Sequence, residues 1–164
     1  MKANRARARR DRGFTLVELI VAMVILATLA AIAIPSYNSY VLKSHRTEAK
    51  SALMDAASLE ERFFSTSNTY STIPTDLGYG AAGTPFQVGT GYYNISSITV
   101  TLAVAPSGAS PGGTPATYLI TAVPNPASMQ VSDTACAVFT INSAGQQTAL
   151  NSGGVDNTAN CWQN

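Results

Sequence analysis

The chain has 164 residues, enough for one globular domain plus a terminal segment. Charged residues make up 12% of it, about half the usual share, and they are segregated. Lys2, Arg5, Arg7, Arg9, Arg10 and Arg12 precede Gly13, whereas no Lys or Arg occurs from Thr66 to Asn164. Removing residues 1–13 takes those six positive charges and Asp11 from a net +1 and leaves −4. Such a body lacks the basic surface that neutralises nucleic-acid phosphates.

In chain order, residues 1–12 form a basic, polar leader, and Phe14 to Ile34 follow as a 21-residue apolar segment whose one charge is Glu18. About 20 apolar helical residues at ~1.5 Å each span a bilayer. Basic flanks stay cytoplasmic, so the body is expected on the far side of the membrane. A carboxylate at mid-bilayer costs on the order of 2.5–3.5 kcal/mol, which makes Glu18 a functional candidate in need of a partner. Its place near the helix N-terminus also suits the macrodipole. A competing reading is a secretory signal peptide cut after Ala31-Ile32-Ala33. Glu18 inside the apolar run, and a helical pattern that continues past Ala33, oppose it. The Arg9-Arg10 pair lacks the surroundings of a twin-arginine signal.

Pro35 is expected to kink the helix near Ala31. From Ser36 onward Tyr37, Val41, Ala49, Ala52, Leu53, Ala56, Leu59 and Phe63 recur mainly at steps of three or four, an amphipathic stripe. Arg46, Lys50, Asp55, Glu61 and Arg62 fall largely outside that stripe. One helix is therefore predicted from about residue 14 to about residue 64. Arg46 and Glu48 are candidates for contacts between subunits, or are solvated charges. His45, the one histidine, has no Cys or acidic cluster at ligand spacing, so no metal site is expected. Residues 65–91, rich in Gly and Pro, read as a loop that Tyr70, Tyr79 and Phe86 pin to the domain.

Strand signals follow at 98–104, 116–123, 136–141 and, weakly, 146–150, separated by turns at 106–115 and 142–145. The fold class is α+β: a long N-terminal helix, apolar in its first half and amphipathic in its second, packed on a roughly four-stranded antiparallel sheet. Cys136 and Cys161, an even pair beyond an export segment, read as one disulfide in an oxidising compartment. Asp156, Asn157 and Asn160 offer too few carboxylates for calcium. No nucleophile–base pair, phosphate loop or ligand cluster is present, so neither an enzyme nor a cofactor is expected.

At Gly13-Phe14-Thr15-Leu16-Val17-Glu18, preceded by the basic leader and followed by the apolar run to Ala31-Ile32-Ala33-Ile34-Pro35, the sequence resembles the type IV pilins and pseudopilins. The resemblance implies that residues 1–13 are a leader removed by a prepilin peptidase between Gly13 and Phe14. The same enzyme would methylate the new amine of Phe14. Residues 14–35 would be membrane anchor and then filament core, and residues 36–164 a periplasmic domain with helix 36–64, loop 65–91 and sheet with disulfide loop 92–164. Glu18 of one subunit would meet the Phe14 amine of the next. Partners would be other pilin subunits and an inner-membrane assembly platform. The chain would sit in the inner membrane before assembly and in the extracellular pilus after it, serving twitching motility, adhesion, DNA uptake and pilus biogenesis. The family's usual glycine eight residues before the proline is Ala27 here.

Asp133-x-x-Cys136, Cys161-Trp162, Ser44-His45-Arg46-Thr47-Glu48 and Leu59-Glu60-Glu61-Arg62-Phe63-Phe64 are similar to the PilE-type minor pilins. In pilins the stretch between the two cysteines is a loop tied down by their bond. A pseudopilin of a type II secretion machine and a membrane-anchored or secreted binding module are the alternatives. Intact mass of the exported protein separates them.

Overall fold

The computed structural model describes residues 13–105 and 114–163. The leader before Gly13 and most of the 106–115 turn lie outside the described residues. The chain divides into two compact units, residues 1–39 and 40–164.

The first unit is helical. Helix α1 runs from Leu16 to Ser67 and passes through Pro35. Proline lacks an N–H, so the bond to the Ala31 carbonyl cannot form there. This part of α1 is long and apolar enough to cross a membrane, and none of its most apolar stretch is buried within the chain. Phe14, Leu16 and Ile32 are 84%, 73% and 75% exposed.

In the second unit the remainder of α1 packs on a sheet. The elements after the helix are a 3-10 turn at Pro74–Leu77, strands β1 (Phe86–Val88), β2 (Tyr93–Thr101) and β3 (Thr117–Pro124), a second 3-10 turn at Met129–Ser132, β4 (Val138–Asn142), β5 (Gln147–Leu150) and helix α2 (Thr158–Trp162). The sheet has five strands in chain order β1-β2-β3-β4-β5, each pair antiparallel. Four of them, β2 to β5, overlap the strand signals at 98–104, 116–123, 136–141 and 146–150. The fifth, β1, lies inside the stretch read as loop, and so does the first 3-10 turn. Three residues between Pro85 and Gly89 are too few for alternation to show.

The inner face of the sheet alternates with the outer as the period of two requires. Tyr93, Ile95, Ile98, Ile120, Ala122, Phe139 and Ile141 are buried against the helix residues Ala49, Leu53 and Ala56. Alanines on the helix let its backbone approach the sheet, and Leu53, fully buried, fills the centre. Tyr93 and Trp162 each meet Phe139 edge to face, with ring centroids 5.7 and 5.9 Å apart. A Cys136–Cys161 disulfide ties α2 to the segment before β4. The outer face carries Ser97, Thr121, Thr140 and Thr148 in one register row and no charged side chain.

Candidate assembly site and the helix–domain clasp

Two sets of polar residues stand out, one in each unit. In the first unit Gly13, Phe14, Thr15 and Glu18 line one open hollow. Thr15 precedes the helix, and its hydroxyl accepts from the Glu18 N–H at 3.3 Å while its carbonyl accepts from the Leu19 N–H at 3.2 Å. Thr15-x-x-Glu18 is the spacing of a capping box, so Glu18 sits in the first turn, where the helix dipole favours an anion. These are residues of the Gly13-Phe14-Thr15-Leu16-Val17-Glu18 motif. Pro35 lies 17 residues beyond Glu18 in the same helix.

The second set was missed. The helix residues buried in the domain are Arg46, Ala49, Leu53, Ala56 and Glu60, a single face at steps of three and four. The face is apolar only in its middle. Arg46 closes one end and Glu60 the other. Arg46, expected outside the stripe, is 4% exposed and donates from Nε and Nη2 to the Asp133 carboxylate at 2.7 and 2.9 Å. Its Nη1 is buried with no hydrogen-bond partner among the described residues. Gln130, fully buried, is the hub beside this pair. Its amide nitrogen reaches the Leu42 carbonyl at 3.1 Å, the Tyr93 hydroxyl at 2.9 Å and Asp133 at 3.0 Å. Its Oε1 lies 3.2 Å from Nδ1 of His45, whose ring stacks on Tyr92 at 3.5 Å. Burial, reinforced by the Asp133 charge, pushes the Tyr93 hydroxyl well above its ordinary value.

Glu48, also read as a subunit contact or a solvated charge, instead clasps the turn between β1 and β2. Its carboxylate accepts from the N–H groups of Thr90, Gly91, Tyr92 and Tyr93 at 2.9–3.3 Å, and from the Thr90 hydroxyl. Burial alone would raise this carboxyl, but the Thr90 hydroxyl and the N–H groups of Thr90, Tyr92 and Tyr93 outweigh it and hold the group below the usual range. The turn depends on two glycines. A Cβ at Gly89, whose φ is +53°, would lie 2.8 Å from the Glu48 side chain, and Gly91 has φ +95°. Lys50 donates to the Trp162 carbonyl at 3.0 Å. No sequence signal distinguishes a solvated charge from one whose partner lies 87 residues away, as Asp133 does from Arg46.

Among the described residues no group of three His, Cys, Asp or Glu side chains could hold a metal. The polar residues of both sets bind other parts of the chain or lie exposed, an arrangement for holding pieces together.

Comparison with known proteins agrees with this. Residues 8–34 match the prokaryotic N-terminal methylation motif. Residues 35–140, well over half of the chain, match the family described as type IV minor pilin ComP, DNA uptake sequence receptor. The chain belongs to the type IV minor pilin ComP family. Its resemblance to pilins extends to the type IV major pilin protein PilA of Myxococcus xanthus, 39% identical over 70 residues, 43% of this chain and 32% of the relative. The type IV major alpha-pilin of Moraxella bovis is 35% identical over 80 residues, 45% of this chain and 50% of that pilin. The fimbrial protein EcpC of Eikenella corrodens is 49% identical over 39 residues, 24% and 26% of the two chains. The chain thus spans between a quarter and a half of the length of these relatives. The clasp residues from Arg46 to Asp133 all lie inside the part matched by the ComP family.

Proposed function

We propose that this chain is a structural subunit of type IV pili, a minor pilin of PilE-like character. A prepilin peptidase cuts it between Gly13 and Phe14 and methylates the Phe14 amine. It waits in the inner membrane on the apolar part of α1, with its domain in the periplasm, until an inner-membrane assembly platform packs it with other pilin subunits into the fibre. The observation that carries this reading is an apolar helical unit that the chain itself leaves uncovered, with one acid in its first turn. Moving such a helix from lipid to a bundle of like helices exchanges one apolar surrounding for another, so dispersion packing and polar pairs decide the register. A Glu18 carboxylate against a neighbour's Phe14 ammonium supplies such a pair, and Pro35 removes one backbone hydrogen bond from the helix. Intact mass of the exported protein tests the processing: loss of residues 1–13 plus one methyl supports it, and a cut after Ala33 or no cut refutes it. Immunogold labelling of sheared fibres tests incorporation.

The receptor part of the family's description is not carried over. Among the described residues of the domain the exposed cations are Lys43 and Arg62, and Arg46 is committed to Asp133. Duplex affinity rests on many such charges. Weak, sequence-independent binding of duplex DNA in low salt is the expected result, and tight binding of one sequence would restore the receptor role.

A further inference from the structure

The last turns of α1 hold an acid that neither the core nor the assembly site uses. Glu60 is fully buried. Its Oε2 accepts from the Ser71 N–H at 3.1 Å, and its Oε1 is buried with no hydrogen-bond partner among the described residues. The charges acting on it are those of Glu61 and Asp76, both negative. Asp76, from the 3-10 turn, accepts from the Ser71 hydroxyl at 2.7 Å. Glu61 accepts from the Tyr70 hydroxyl at 3.1 Å and is also hydrogen-bonded to Tyr118 of β3. Arg62 shares a neighbouring groove with Asp76 and bonds neither Glu60 oxygen. A buried carboxylate with one donor and two acidic neighbours is unfavourable when ionised. Burial first, then the Glu61 and Asp76 charges against the Ser71 hydrogen bond, push the carboxyl up to about 6.

The segment that covers Glu60 follows the helix directly. Asn68 adopts φ 53° and ends α1, with its N–H donating to the Phe64 carbonyl at 2.8 Å. Tyr70 then stacks on Phe64, and Pro74 and Leu77 are buried. The Ser71 hydroxyl accepts from the Ile73 N–H at 3.0 Å. The stretch from Asn68 to Leu77 is therefore a flap whose inner side rests on Glu60.

We propose that Glu60 is a proton-binding latch: protonated, it holds the Asn68–Leu77 flap on the helix, and ionised, it loosens the flap so that water can reach the carboxylate. The carboxyl binds protons more tightly closed than open. Its contribution to closure is complete below the open value of 4.5 and is lost as pH rises through about 6. A subunit that passes from a buffered cell envelope to a surface of different acidity would carry a flap whose fit changes with pH.

Hydrogen–deuterium exchange of the full chain in detergent micelles, with rates corrected for intrinsic pH dependence, tests the latch. Protection of the amides from Ser71 to Leu77 should fall by up to about 30-fold between pH 4 and pH 8, the ratio set by carboxyl values of 4.5 open and about 6 closed. Glu60→Gln should keep the Ser71 contact and flatten this dependence. Asp76→Asn, which removes one neighbouring charge, should move the midpoint down and keep the dependence. Constant protection in the unmodified chain overturns the proposal, as does a dependence that survives Glu60→Gln or a midpoint unmoved by Asp76→Asn. Loss of the dependence in His45→Gln would assign the titration to the one histidine and overturn it as well.

Discussion

The two parts of α1 solve the same problem in opposite ways. Up to Ser39 the helix leaves its large apolar side chains exposed, uncovered by any described residue. From Tyr40 onward one face is buried, and the sheet covers it. The polar residues differ accordingly. Arg46, Glu48 and Glu60 have partners inside the domain, whereas Glu18 has its side chain exposed in the first turn. Secondary structure is thus the same in both parts, and what separates them is whether the described residues cover the apolar face.

Substitutions can break this contrast on either side. The largest effect is expected at Glu18. Glu18→Ala should leave processing normal and the domain's melting unchanged, yet lower incorporation into sheared fibres at least tenfold, since an unpaired ammonium in an apolar bundle costs several kcal/mol. Fibre incorporation at the normal level would remove Glu18 from the assembly site.

Within the domain Arg46→Met should be next, destabilising by about 3–5 kcal/mol in denaturant titration because Asp133 is left buried and uncompensated. Arg46→Met with Asp133→Leu should recover much of that loss. If the single variant is neutral, the clasp is ornamental. Cys136→Ser with Cys161→Ser should cost about 2–5 kcal/mol, read as a fall in the melting midpoint of the domain with no effect on leader removal.

Glu48→Gln is expected to be the mildest, about 1–2 kcal/mol at pH 7, because a neutral amide oxygen accepts the four turn N–H groups less strongly than a carboxylate. Its sign with pH is opposite to that of Glu60. The Glu48 carboxyl is lowered from 4.5 in the fold, so its stabilisation is present above 4.5 and is lost as pH falls through the folded value. The difference between Glu48→Gln and the unmodified domain should therefore narrow below pH 4.5, and equal differences at pH 7 and pH 3 would show that charge plays no part in the clasp.

What the sequence made legible follows the same division. The motif at Gly13, Phe14 and Glu18 reads from the sequence because its signal is local: a junction and one acid spaced four residues apart, set in an uncharged run. The amphipathic period of α1 and the alternation in β2 to β5 are local as well. The disulfide needed only an even count and an export segment. Arg46, Gln130 and Asp133 were hidden because burial of a polar residue depends on partners remote in sequence, and a stripe drawn from apolar residues alone sends every charge to solvent. Glu60 escaped for the same reason, since its spacing from Ala56 puts it on the buried face and its chemistry argues it off. β1 escaped because three residues carry no period.

The sheet's two borders differ in what they offer a further strand. Along β5 the returning tail covers the border: Leu150 bridges to Asp156, the Asn151 N–H donates to the Val155 carbonyl at 2.9 Å, and the Asn157 N–H donates to the Ala149 carbonyl at 2.8 Å. The opposite border is β1, three residues long and preceded by Pro85, continued by residues 97–101 of β2, which pair with β3 on one side and, among the described residues, with no strand on the other. An exposed strand edge recruits strands from other molecules, and short or covered edges with proline nearby prevent this. The β5 border therefore offers another copy little backbone to pair with, whereas on the opposite side the backbone left open among the described residues is the stretch of β2 from Ser97 to Thr101.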